Sequence, residues 1–86
     1  NNLINMKKEI SIITEEGVAF FQRIALETLL NELNSLLLIK TDDDKEHLGI
    51  FYSYDTKWDS VNLKSKYGEI LSYVKKERIK EIYKKI

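Results

Sequence analysis

Val18-Ala19-Phe20-Phe21-Gln22-Arg23-Ile24-Ala25-Leu26-Glu27-Thr28-Leu29-Leu30-Asn31-Glu32-Leu33-Asn34-Ser35-Leu36-Leu37 is the stretch on which the fold turns. Val18, Phe21, Ala25, Leu29, Leu33 and Leu36 recur at steps of three and four, and Leu26, Leu30 and Leu37 widen the stripe. Gln22, Arg23, Glu27, Thr28, Asn31, Glu32 and Asn34 fill the other side. The spacing predicts an amphipathic helix over Val18–Leu37 with one face on a core. Thr14-Glu15-Glu16 supplies its start: a threonine that can cap, then two carboxylates where the helix dipole favours negative charge. Phe20 and Ile24 fall outside the main stripe. They call for a second covering surface or form an exposed apolar spot.

Working outward, Ile10 and Ile12 alternate with Glu9 and Ser11, so Lys8–Thr14 reads as a strand. Downstream, Asn34-Ser35 marks the helix end, and Leu36–Thr41 reads as a buried strand. Asp42–His47 is a polar turn, and Leu48–Tyr54, with Phe51, Tyr52 and Tyr54, is a second strand, which together predict a hairpin. Asp55–Lys64 fits a loop, a third strand or a helix lead-in. From Ser65 a second helix is predicted. Tyr67, Ile70, Leu71 and Val74 share one face, and Ile79, Ile82, Tyr83 and Ile86 another, because Val74 to Ile79 is a step of five. At about 3.6 residues per turn the two faces differ by roughly 120°. The expected architecture is a small α+β domain, strand–helix–hairpin–helix (β-α-β-β-α). Its antiparallel or mixed sheet would be covered on one face by the first helix.

Eighty-six residues make one domain, 1–86, with room for one core. Residues 1–5 read as a flexible or appended extension ahead of Met6, and 75–86 as a basic amphipathic helical end. The 43% apolar content suffices for a core, and the 33% charged content is mixed in sign, which argues against disorder. There is no cysteine, which removes disulfides, thiolate chemistry and cysteine-ligated metal, and fits a reducing, cytoplasmic setting. No run approaches the roughly 18 apolar residues of a membrane span. The longest is Leu36–Ile39.

The net charge of zero hides a segregation. Thr41 to Ser60 carries six acidic residues (Asp42, Asp43, Asp44, Glu46, Asp55, Asp59) against two lysines. Val61 to Ile86 carries eight basic residues against Glu69, Glu77 and Glu81. A local field of this kind can select a partner where the total cannot.

No catalytic constellation emerges. Asp42-Asp43-Asp44 with Glu46 and His47 lacks the alternate oxygen spacing and turn glycine of a calcium loop. His47, the single histidine, has no recognisable nucleophile motif beside it. Gly17, Gly49 and Gly68 are isolated, so no phosphate loop or dinucleotide fingerprint exists. No enzyme activity, cofactor or metal is therefore expected. Phe51, Tyr52, Tyr54 and Trp58 with Lys57, Lys64 and Lys66 are residues of the kind that stack bases and follow phosphates, or that fill a sheet core. Trp58, in a polar stretch, is a natural interface anchor.

Glu9-Ile10-Ser11-Ile12-Ile13-Thr14-Glu15-Glu16-Gly17-Val18-Ala19-Phe20 resembles the second wing strand and following helix of winged-helix DNA-binding proteins. It covers about a dozen residues, and the family's helix–turn–helix would have to precede it, so membership is not assigned. The resemblance implies a nucleic-acid ligand. The leading expectation is a small regulatory protein that binds another protein, or itself as a homodimer, through Trp58, Ile79, Ile82, Tyr83 and Ile86. The alternative is a nucleic-acid binder using Lys75, Lys76, Arg78, Lys80, Lys84 and Lys85.

Overall fold

The computed structural model describes residues 9–86; the extension expected at residues 1–5 lies outside that range. β1 (Glu9–Thr14) and β2 (Gly17–Ile24) form a hairpin through Glu15-Glu16. The helix expected over 18–37 is absent. Its first part is β2, its middle is a 3-10 segment (Leu26–Glu32), and its end enters β3 (Leu36–Thr41). The cause lies in the spacing. A step of four returns to the same side in both a helix and a strand, so the steps of four cannot tell one from the other. The step of three can: Val18 is 63% exposed while Phe21 is fully buried, which places them on opposite faces of β2. The chain reverses into β3 at Asn34, whose φ of 75° a helix interior excludes.

β3 runs antiparallel to β4 (Glu46–Asp55), with Leu38 opposite Leu48, so the expected hairpin is present. β5 (Ser60–Lys64) continues the meander, followed by β6 (Ile70–Lys75). The second expected helix is also absent. The step of five from Val74 to Ile79 spans a 3-10 turn (Lys76–Arg78), after which β7 (Ile79–Lys85) returns through the sheet. All pairs are antiparallel, in the order β1-β2-β7-β3-β4-β5-β6. The β-α-β-β-α expectation is thus overturned: the described residues are 62% strand, in a curled seven-stranded half-barrel. Among the described residues no helix is long and apolar enough to cross a membrane.

Two apolar clusters hold the sheet, one on each face. The larger gathers Leu37, Ile39, Phe51, Val61, Leu63, Val74 and Ile82 under Leu29 of the first 3-10 segment. The smaller gathers Ala19, Phe21, Leu38 and Tyr83, with Ile10, Ile12, Leu36 and Leu48 against it. Consecutive residues divide between them, Leu37 and Leu38 on β3 and Ile82 and Tyr83 on β7, because successive strand side chains point oppositely. Strands covered on both faces read as unbroken apolar runs, which explains Leu36–Ile39.

Gly49 permits one close approach in this packing. A Cβ there would sit 2.8 Å from Leu63 Cβ and 3.3 Å from Leu71 Cδ1. The first of these atoms is attached directly to backbone and cannot swing aside. Gly49→Ala is therefore expected to destabilise the fold by about 1–3 kcal/mol, as overpacking does. Urea unfolding monitored by circular dichroism checks this; an unchanged midpoint contradicts it.

Candidate functional site

Three aromatic side chains converge on one face of the β4–β5–β6 end of the sheet. Tyr52 sits where the β4–β5 register shifts, between Phe51 and Ser53. Tyr73 lies on β6 opposite Asn62, and Lys75 opposite Ser60, so these four share a face. Val61, Leu63 and Val74 alternate with them and enter the larger core on the other side. Trp58 is carried by the turn between β4 and β5. That turn is fixed by Asp55 Oδ1, which accepts the backbone N–H of Lys57 at 2.9 Å and of Trp58 at 3.2 Å. Asp59, with φ of 55°, completes it.

The result is a cleft of about 560 Å³ lined by Tyr52, Asp55, Trp58, Ser60, Asn62, Tyr73 and Lys75. Its walls are open rings: Trp58 is 59% and Tyr73 65% exposed. Its floor is polar and internally satisfied. Ser60 Oγ donates to Asn62 Oδ1 at 2.9 Å, and Asn62 Nδ2 donates to Ser53 Oγ at 3.0 Å. Both Ser60 and Asn62 are buried. A buried polar group costs free energy unless hydrogen-bonded, and this chain of bonds holds the floor rigid.

Lysines surround the rings. Lys57 Nζ and Lys75 Nζ lie 5.6 and 5.8 Å from the Trp58 ring centroid, and Lys64 Nζ lies 5.7 Å from that of Tyr52. These are cation–π distances. The ion pairs among the described residues involve none of these three lysines. Partial burial, reinforced by the neighbouring Tyr73 hydroxyl, raises the Tyr52 phenol above its ordinary pKa, so it stays a neutral donor at physiological pH. The site thus offers flat π-faces and ammonium groups without acidic partners, together with one carboxylate, Asp55, held by the backbone N–H groups of its own turn.

The chain matches no family model, and no curated protein or solved structure is significantly similar to it.

The residues singled out in the sequence are scattered by this fold. Trp58 alone of the expected partner-binding set lies in the cleft. Ile79 is half-buried against the larger core, and Ile82 and Tyr83 are 2% and 3% exposed on opposite faces of β7. Ile86 is 64% exposed beyond β7, its N–H donating to the Phe20 carbonyl at 2.9 Å. Phe20 is exposed as well, whereas Ile24 packs against the larger core.

The basic set is scattered, and half of it is ion-paired. Lys75 belongs to the cleft and Lys76 to the 3-10 turn. Arg78 Nε donates to Asp42 Oδ1 at 2.8 Å, Lys80 lies 4.0 Å from Asp44, and Lys84 lies 2.9 Å from Glu32, while Lys85 ends β7 exposed. Pairing β7 with β3 brings the basic end of the chain against the acidic turn that follows β3, so the segregation seen along the sequence cancels in space.

The acidic turn has structural partners of its own. Asp43 Oδ1 accepts from the Thr41 hydroxyl, which holds its carboxyl below the usual range. His47 lies 3.4 Å from both Thr41 Oγ1 and Ser72 Oγ. Among the described residues no three His, Asp or Glu side chains converge as a metal site. Of the aromatic–lysine group noted in the sequence, Phe51 and Tyr54 pack in the larger core, and Lys66 turns away to Glu15 and Glu16. Sequence reasoning missed Tyr73, because a helix over that segment assigns it no neighbour on β5. Its alternation with Val74 and Ser72 is the signal that places it.

Proposed function

We propose that this chain is a non-enzymatic binding module that holds single-stranded nucleic acid in the Tyr52–Trp58–Tyr73 cleft and acts in the cytoplasm. Bases stack on the rings, and the phosphate backbone runs past Lys57, Lys64 and Lys75. The observation that carries this reading is the coincidence of three solvent-facing aromatic side chains with three lysines that lack acidic partners. Stacking accepts any base, since each has a π-face, and the ammonium groups supply charge without sequence preference. The floor beneath the rings is the buried, internally hydrogen-bonded Ser60–Asn62 pair. A protein anchored on Trp58 is the competing reading. Unpaired lysines at the rim favour a polyanion over it.

Trp58 is the only tryptophan, so its fluorescence reports the site directly. Titration with a short single-stranded oligonucleotide at low salt is expected to quench it. Affinity should fall with salt at a log–log slope of about −2, the value for roughly three phosphate contacts on a single strand. No quenching at low salt, or a response independent of salt, rejects the proposal.

A further inference from the structure

We propose that two copies of this chain join through β1, antiparallel, with Ser11 opposite Ser11 of the second copy. The inference does not depend on the cleft. Among the described residues β1 is an edge of the sheet and pairs with β2 alone. The Ile86 N–H donates to the Phe20 carbonyl, so the backbone of Phe20 faces β7. Alternation then turns Ala19 and Phe21 toward β1, where they meet Ile12 and Ile10. The N–H and C=O groups of Glu9, Ser11 and Ile13 are left pointing outward. Natural sheets guard such edges with lysine, proline or a bulge. Glu9–Thr14 has no lysine or proline, and its register runs without a shift.

The register itself selects a second copy. A two-fold axis normal to the sheet, using only outward groups, permits Ser11 on Ser11 or a slip of two residues. A slip toward the turn sets Glu9 against Glu15 of the other copy, like charge against like. The opposite slip leaves only residues 9–11 of each described strand facing. The Ser11 register matches Glu9 with Ile13 and Ile10 with Ile12, each twice. Ile10 and Ile12 lie half-buried against the Phe21 and Leu38 cluster. Paired across the axis, four isoleucines form one ladder that joins the smaller clusters of both copies.

The cysteine-free chain makes this testable. Sedimentation equilibrium in the micromolar-to-millimolar range is expected to give twice the single-chain mass. Ser11→Pro removes only an outward N–H and should return the mass to one chain. In parallel, Ser11→Cys should lock to itself under mild oxidation, while Thr14→Cys, which this register sets roughly 20 Å along the strand from its counterpart, should not. A single-chain mass across the whole range overturns the proposal. So does a dimer that Ser11→Cys fails to lock, one that Thr14→Cys locks equally well, or mass gained only when a different protein is added.

Discussion

Trp58→Ala is expected to weaken the binding of a single-stranded oligonucleotide by roughly 5- to 150-fold. Removing one stacking platform costs about 1–3 kcal/mol per base, and about 1.4 kcal/mol is a factor of ten. The side chain is mostly exposed on a turn whose conformation depends on Asp55, so its loss leaves the fold in place. Fluorescence anisotropy of a labelled oligonucleotide reads the effect in the absence of the tryptophan. Tyr73→Ala, on the facing strand, should act in the same direction and by a similar amount. Lys75→Ala should instead flatten the salt dependence, reducing the magnitude of the log–log slope by about 0.7. The controls are Arg78→Ala and Lys84→Ala. Those cations already face Asp42 and Glu32, so their removal should matter much less than that of Trp58. If the basic residues of β7 dominate and Trp58→Ala binds normally, the cleft is not the site.

Ile82→Ala is expected to destabilise the protein by about 2–5 kcal/mol, the range for truncating a large buried aliphatic side chain. Ile82 sits on β7 among Leu37, Ile39, Phe51 and Val61. Tyr83→Ala should be comparably costly although it points the other way, into the Ala19, Phe21 and Leu38 cluster. Two adjacent residues with large and similar costs are the mark of a strand covered on both faces; on a surface helix adjacent residues would differ. Tyr83→Phe isolates the hydroxyl, which donates to Glu81 at 2.7 Å, and should cost about 0.5–1.5 kcal/mol. Ile86→Ala, largely exposed, should lie within about 0.5 kcal/mol of the parent. Urea unfolding of the four variants gives the comparison. Equal midpoints for Ile82→Ala and Ile86→Ala would refute the central placement of β7.

The β3–β4 hairpin was legible because an apolar run, a polar turn and an aromatic run lie next to one another in the chain. The strand at Lys8–Thr14 was legible as well, from its alternation, and β1 covers Glu9–Thr14 of it; the rest of the sheet was not, and the reason is physical. The stripe Val18, Phe21, Ala25, Leu29, Leu33 and Leu36 runs across three elements, β2, the 3-10 segment and β3, so its helical spacing is assembled from pieces that share no single helix. Only the buried–exposed alternation of Val18 to Phe21 distinguishes strand from helix, and it is short. At the other end, the adjacent pair Ile82-Tyr83 signals a strand buried on both sides only once a sheet exists on either side of it. That sheet depends on β7 inserting between β2 and β3, a pairing across most of the chain that no local pattern encodes.

The cleft was legible in the same partial way. Tyr52, Trp58, Lys57 and Lys64 were visible as a group because they are close in sequence. Tyr73 and Lys75 join them through the β5–β6 register, which places Tyr73 opposite Asn62 and Lys75 opposite Ser60. The basic C-terminal segment misled for the converse reason. Its charge is conspicuous along the chain, yet Asp42, Asp44 and Glu32 meet it in space.

Chemical-shift mapping during titration with a single-stranded oligonucleotide tests the central claim most directly. Shifts are expected at the Trp58 indole N–H, the Asn62 side-chain amide and the backbone amides of Tyr52, Tyr73 and Lys75, with Lys80 to Lys85 unmoved. Perturbation centred on Lys80 to Lys85, or none at saturating ligand and low salt, would contradict it.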